Sequence, residues 1–397
     1  MNREDFPIIN DNLIYFDNAA TTLKPNKVID SITDYYKNYS VNIHRGEYDL
    51  SFKADQAYAN ARLTVAKFIN AEEKSIVFTK GTTDSLNMIV DGYFKNHLNK
   101  DDEVLITKSE HASNVLPWFN LAKEIGIKVS FIELNDDLTL SLDKVKEAIT
   151  DNTKVISLAG ITNVIGDIRP IKEICELAHS KGILVVEDGA QSVPHIKVDV
   201  KDSDVDFLAF SGHKLCGPTG IGVLYIKPSL IDEFNAVEFG GGMNESFDSV
   251  DEVYLKEAPI KYEAGTPHIA GAIGISSAIE YIESIGLDKI HEYECELKDY
   301  LVSKLSNIDH IKVINPNSKS GIVTITVDDI FPQDVGYYLN KYNICVRTGN
   351  HCDKLLKDLI GVRNTLRISL YFYNTYAEID KLVELLSDKN KIISEMI

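Results

Sequence analysis

"FLAFSGHKLCGPTGIGVLYI", residues 207–226, sets one lysine between two apolar runs, behind Ser-Gly-His and ahead of a glycine-rich turn. The runs "VDFLAF" (205–210) and "GVLYI" (222–226) are short, continuous and rich in aromatic and branched side chains, so they read as strands buried on both faces. Further out the same kind of run recurs as "SIVFT" (75–79), "EVLIT" (103–107), "KVSFIEL" (128–134), "KVISLAG" (154–160) and "GILVVED" (182–188). Stretches of helical period, among them 85–98 and 171–182, lie between several of them. This alternation predicts an α/β fold with a large domain over residues 14–264, built on a mainly parallel seven-stranded sheet between helices. After about residue 265 the pattern turns to long helices (270–286, 291–305), then short strands (321–327, 343–348, 365–373) and a closing helix (375–389). Residues 265–397, with 1–13, are expected to form a smaller α/β C-terminal domain.

The bulk numbers agree with two lobes. The chain has 397 residues, past the roughly 250–300 at which single cores stop growing. A hydrophobic share of 44% with 25% charged residues is that of an ordinary globular protein. The formal net charge of −19 repels nucleic-acid backbones and anionic membranes, and no basic patch offsets it. "MNREDFPIIN" lacks the basic start and apolar core of a signal peptide, and no run approaches the roughly 20 apolar residues of a membrane span. A cytoplasmic protein without nucleic-acid or membrane partners is the expectation. The five cysteines (Cys175, Cys216, Cys295, Cys345, Cys352) are odd in number and scattered, which argues against a disulfide framework. Cys345, His351 and Cys352 lack the spacing of a structural zinc site, so no metal is expected.

In open α/β sheets ligands sit beyond the carboxyl ends of the strands. Here those ends carry Lys80-Gly81-Thr82-Thr83, Glu110-His111, Thr162-Asn163, Asp188 with Gln191, and Ser211-Gly212-His213-Lys214. Each piece alone has a simpler explanation: a helix cap, a hydrogen-bonded loop histidine, a solvated lysine. Together they match pyridoxal phosphate. Its aldehyde needs a lysine amine (Lys214), its ring nitrogen a carboxylate (Asp188), and its phosphate hydroxyls and N–H groups at a helix start (Gly81-Thr82-Thr83). His111 is available for the ring face and Gln191 for the ring hydroxyl. No G-x-x-x-x-G-K-[ST] nucleotide loop is present, and "GPTGIG" (217–222) precedes a strand instead of opening a helix.

The segments "YFDNAATT" (15–22), "NIHRGEYDLS" (42–51), "KGTTDSLN" (80–87), "EHASNVLPW" (110–118), "TNVIGDIRPI" (162–171), "EDGAQSVPH" (187–195), "SGHKLCGPTGIGVLY" (211–225), "YEAGTP" (262–267), "RTGNHC" (347–352) and "RISLYFYNT" (367–375) resemble the class V aminotransferase superfamily. Within it they are most similar to the SUF-type (group II) cysteine desulfurases, fold-type I pyridoxal-phosphate enzymes. The resemblance implies that Lys214 carries the cofactor, Asp188 pairs with its ring nitrogen and His111 stacks on the ring. It also implies that Thr83, Ser211 and His213 hold the phosphate beside Thr82, with Thr266 reaching the partner's cofactor in a homodimer. By the same likeness Cys352 takes the sulfur of L-cysteine as a persulfide for a sulfur-acceptor protein, in iron–sulfur cluster assembly. Arg367 is then the residue for the substrate carboxylate, which suits a two-pronged guanidinium. Asn163 and Ala20 assist it, with Arg347, His44 and Arg45 nearby. A protonated His351 or Arg347 beside Cys352 would favour its thiolate.

Two features depart from the family pattern: Asn350 stands where relatives often carry histidine, and "CDKLLKDLIGVRN" lacks the usual proline after the cysteine. The alternatives on the same fold are a selenocysteine lyase, a cysteine-sulfinate desulfinase or another lyase that does not use Cys352. A non-catalytic scaffold is the alternative of a different class, and intact Lys214, Asp188 and Arg367 argue against it.

Overall fold

A computed structural model describes residues 3–10, 12–44 and 46–395. After a two-residue strand β1 (Ile14–Tyr15) come the seven strands of the main sheet: β2 (Ile76–Thr79), β3 (Glu103–Thr107), β4 (Lys128–Ile132), β5 (Thr153–Ala159), β6 (Leu184–Asp188), β7 (Phe207–Ser211) and β8 (Gly222–Ile226). Their spatial order is β2-β8-β7-β6-β5-β3-β4. Strand β8 runs antiparallel to both of its neighbours, and every other pair is parallel. Each run read as a strand in this region forms one, to within two residues at either end.

Burial on both faces follows from the period of two. Ile76 and Phe78 enter one core and Val77 the other; Leu208 and Phe210 alternate likewise with Phe207 and Ala209. The first core packs the sheet against helices Asn26–Asn38, Asp49–Phe68 and Ile269–Ile285, whose apolar residues include Val28, Val65 and Ile275. The second packs it against Thr82–Ile89 and Leu116–Ile125 through Leu86, Ile89 and Trp118. The helix expected over 85–98 begins earlier, at Thr82, and loosens into a π-helical turn over Val90–Phe94. There Gly92 comes so close to the Asn235 carbonyl that a Cβ would lie 2.7 Å from it.

Beyond the sheet, an exposed hairpin pairs β9 (Asn244–Phe247) with β10 (Val253–Leu255), which the apolar pattern does not announce. A second, fully antiparallel sheet holds β11 (Ile311–Val313) and β12 (Ile322–Val327). A short β13 (Ile344–Cys345) pairs with β1, while β14 (Arg347–Gly349) and β15 (Thr365–Ser369) complete the second sheet in the order β11-β12-β15-β14. The strands expected over 343–348 and 365–373 are thus one split in two and one cut short, because Tyr371, Phe372 and Tyr373 turn inward to pack on Phe6 and one another. Two packing facts cross the expected domain limits. Helix Ile269–Ile285 belongs to the first core of the large sheet, and Ile14–Tyr15 pairs with Ile344–Cys345 of the smaller lobe.

At the rim, Gly222 lies opposite Thr79 in the β2–β8 ladder, and a Cβ there would sit 2.4 Å from the Cα of Gly81. Gly222→Ala therefore forces two backbones apart, and is expected to cost about 1–3 kcal/mol in denaturant unfolding of the cofactor-free protein. A variant as stable as the wild type would overturn this account of the contact.

Candidate active site at the strand ends

A cavity of about 310 Å³ opens where β5, β6 and β7 end and reaches across to β14 and β15. Every described candidate named for cofactor or substrate lines it except Gly81, His44 and Thr266. His44 lies outside it: its backbone N–H donates to Asp55 at 2.8 Å and its ring stands edge-on to Tyr58. Thr266 lies in a separate groove with Lys80, Asp84 and Glu263. Arg45 lies outside the described residues.

Lys214 sits in the turn between β7 and β8, whose ends are held by the Ser211–Gly222 pairing. The peptide before it is clamped. The His213 carbonyl accepts from Thr22 N–H, Thr21 Oγ1, Thr22 Oγ1 and the Lys24 ammonium, all at 3.0–3.1 Å. Burial lowers the Lys214 pKa to about 8, while the negative Asp188 works against the drop. Asp188, at the end of β6, accepts from the Ala190 N–H at 3.0 Å. Its burial raises it to about 6, offset in part by Lys214.

Helix Thr82–Ile89 points its N-terminus at the cavity from Gly81, whose φ of +151° keeps the position for glycine. The Thr82 N–H donates to Ser211 Oγ at 2.7 Å, and Thr83 shares a 2.7 Å hydroxyl contact with Ser113. Ser113 was not foreseen from the sequence. Its N–H donates to His111 Nδ1 at 3.1 Å, which puts the ring proton of a neutral His111 on Nε2. Burial, with Lys214 and Arg367 nearby, lowers the His111 pKa to about 4.

On the far side, Arg367 is buried on β15 and donates to the Asn163 carbonyl at 2.9 Å. Asp17, also unforeseen although it stands in "YFDNAATT", binds Arg347 at 2.8 Å and Arg367 at 3.4 Å. Cys352 is exposed within the cavity wall, which it shares with both guanidiniums. It follows His351 with both residues left-handed (φ 53° and 61°), and its N–H donates to Asn350 Oδ1 at 3.1 Å. Asn350 thus supplies a local turn for the unusual backbone. His351 does not serve as a cation beside the thiol: it is buried, shares a 2.9 Å contact with Thr365 Oγ1, and burial drives its pKa to about 3.

The residues present fit pyridoxal phosphate. Gln191 Oε1 and Arg367 Nε are buried without a hydrogen-bond partner, as groups awaiting a ligand would be. The helix N-terminus with Ser211 and His213 suits a phosphate, Asp188 a ring nitrogen and Lys214 an aldehyde.

Residues 14–382 match the family model described as aminotransferase class-V. The chain is 42% identical over 94% of its length to a probable cysteine desulfurase of Halalkalibacterium halodurans, covering 92% of that protein. It is 40% identical over 94% of its length to a cysteine desulfurase of Haloferax volcanii, covering 88% of it. Among solved structures, the apo cysteine desulfurase of Thermococcus onnurineus NA1 superposes with a TM-score of 0.93 at 38% identity, over 97% of this chain and 96% of that one. A cysteine desulfurase of Escherichia coli in an S-sulfonic acid form gives 0.92 at 34% identity, over 100% and 98%.

Because the depressed pKa keeps His111 neutral well below the ordinary histidine range, its ring resonance in the cofactor-free protein is expected to stay constant from pH 8 to about pH 5.5 and to move only toward pH 4. Nuclear magnetic resonance, with His111→Gln for assignment, checks this; a midpoint near 6.5 would contradict it.

Proposed function

The chain belongs to the aminotransferase class-V family, and on that premise we propose that it takes the sulfur of L-cysteine onto Cys352 and hands it to an acceptor protein. It is a pyridoxal-phosphate-dependent cysteine desulfurase. The observation that carries the reading is one cavity holding Lys214, Asp188, Arg367 and an exposed cysteine thiol together.

Bound there, pyridoxal phosphate supplies an electron-withdrawing ring that stabilises negative charge at the substrate α-carbon. Asp188 would hold the ring nitrogen, Gln191 the ring hydroxyl, and Thr82, Thr83, Ser211 and His213 the phosphate, with neutral His111 available to the ring face. Arg367, backed by Asn163, grips the substrate carboxylate, and the peptide at Ala20 closes the opposite wall. With a pKa near 8, the Lys214 amine can both accept the α-proton and return a proton near neutral pH. Cys352 attacks as the thiolate. A sulfur–sulfur bond forms while the substrate's carbon–sulfur bond breaks, its electron pair stays with carbon, and carbon takes up a proton to give L-alanine and an enzyme persulfide.

The SUF-type assignment, delivery toward iron–sulfur cluster assembly and a cytoplasmic setting are parts of the same proposal. No helix among the described residues is long and apolar enough to cross a membrane. A homodimer is supported by Thr266 lying in a groove separate from this chain's own cavity and by Phe239, Phe247, Val250 and Tyr254, all exposed on or beside the β9–β10 hairpin.

Cofactor-loaded protein with L-cysteine and a reductant is expected to form alanine in many-fold molar excess. Cys352→Ala should cut this at least 100-fold and keep the visible chromophore, while Arg367→Lys should mainly raise KM. Retained cysteine turnover in Cys352→Ala would refute the persulfide role; absence of alanine from loaded wild type would refute autonomous desulfuration.

A further inference from the structure

Asp353 directly follows Cys352, and nothing in the chemistry above uses it. Its side chain is buried, and neither carboxylate oxygen has a close hydrogen-bond partner; only the backbone N–H of Leu356, three residues on, lends its charged form some support. An ionised carboxylate held this way is costly, and protonation is the ordinary remedy.

The loop around it is docked onto the large lobe by identifiable contacts. The Ala112 N–H donates to the Cys352 carbonyl at 2.8 Å, and Asn163 Nδ2 donates to the His351 carbonyl at 3.0 Å. Leu356 is buried with Val164 and Ile165, and Lys108 faces Asp358 at 3.6 Å. The charged groups that Asp353 meets are Glu110, from the segment after β3, and Arg169, from the segment before helix Ile171–His179. Arg169 is already engaged: it is ion-paired to Glu110, and its Nε lies 3.6 Å from Asp167. A third carboxylate would add negative charge to a cluster whose one cation already faces two acids.

We propose that Asp353 is a positioning residue that seats the Cys352 loop: protonated, it stays buried with the loop docked and the thiol in the cavity; ionised, it favours a released loop that carries the sulfur outward. The proposal rests on Cys352 being the sulfur carrier. Burial raises the docked Asp353 pKa to about 8, and Glu110 adds to the rise. An exposed aspartate titrates near pH 4. Below about pH 4 both loop states are protonated, so docking carries no charge penalty. Between about 4 and 8 release gains up to tenfold per pH unit, and above about 8 it levels off.

The test is hydrogen exchange by mass spectrometry on the cofactor-loaded full chain, reading the peptide 350–361 against β5 as internal reference. Asp353→Asn removes the charge and keeps the shape. Its protection should exceed that of wild type by a factor that widens at least tenfold between pH 6 and pH 8, then stays constant; Asp353→Ala should follow the same trend. Parallel wild-type and Asp353→Asn curves, or uniformly lower protection in Asp353→Asn, overturn the proposal. Should both variants misfold, the wild-type peptide must itself lose protection relative to β5 over this range, and a flat curve overturns it. Exchange does not depend on turnover, so failure to form alanine would remove the role of Cys352 while the loop result still stands.

Discussion

An amine and a carboxylate are buried at neighbouring strand ends, and much of the molecule serves to keep them there. Burial lowers Lys214 and raises Asp188, and each partly restores the charge of the other. Such a pair is useful only if the lysine backbone cannot drift. The reversed strand β8 supplies the turn that carries Lys214, the Ser211–Gly222 pairing closes it, and Thr21, Thr22 and Lys24 hold the His213 carbonyl from the N-terminal loop. The glycines at 81 and 222 follow from the same demand, because the start of helix Thr82–Ile89 and the end of the lysine turn meet backbone to backbone.

On the opposite wall the electrostatics are arranged differently. Asp17 faces two guanidiniums, which leaves the cluster one net positive charge. Arg367 loses part of its basicity to burial, down to about 10, and Asp17 counters the loss. In the proposed reaction the substrate would enter a cluster that is already oriented, and its carboxylate would share the arginines with Asp17. Arg347, half-exposed and tied by Asp17, lines the same cavity as Cys352.

The main sheet was legible because strands buried on both faces must be continuously apolar, and seven such runs stand in the sequence. The cavity wall was legible for a related reason: polar residues such as Lys214, Asp188 and Asn163 interrupt the chain directly after apolar runs, where a sheet edge gathers them. What escaped depends on contacts between distant segments. Asp17 acquires its meaning only when β14 and β15 bring Arg347 and Arg367 beside it. Asp353 reads as a surface charge until the loop folds over Val164 and Ile165. His44 carries a motif likeness, yet within this chain it stands outside the cavity, with its backbone N–H bonded to Asp55 eleven residues on. The β9–β10 hairpin was missed because its residues are exposed and show no apolar alternation.

The pairing of β1 with β13 bears on how the chain is made. Ile14 and Tyr15 find their ladder partners only at Ile344 and Cys345, and Phe6 packs on Phe372 and Tyr373. During synthesis from the N-terminus, the main sheet is complete once residue 226 has emerged, while the first residues wait for nearly the last. The loop that clamps the Lys214 peptide is continuous with that waiting segment. A ribosome-bound chain can thus hold a finished sheet and an unfinished lysine mount, and the catalytic centre is assembled at the end of translation, when the terminal strands close on each other.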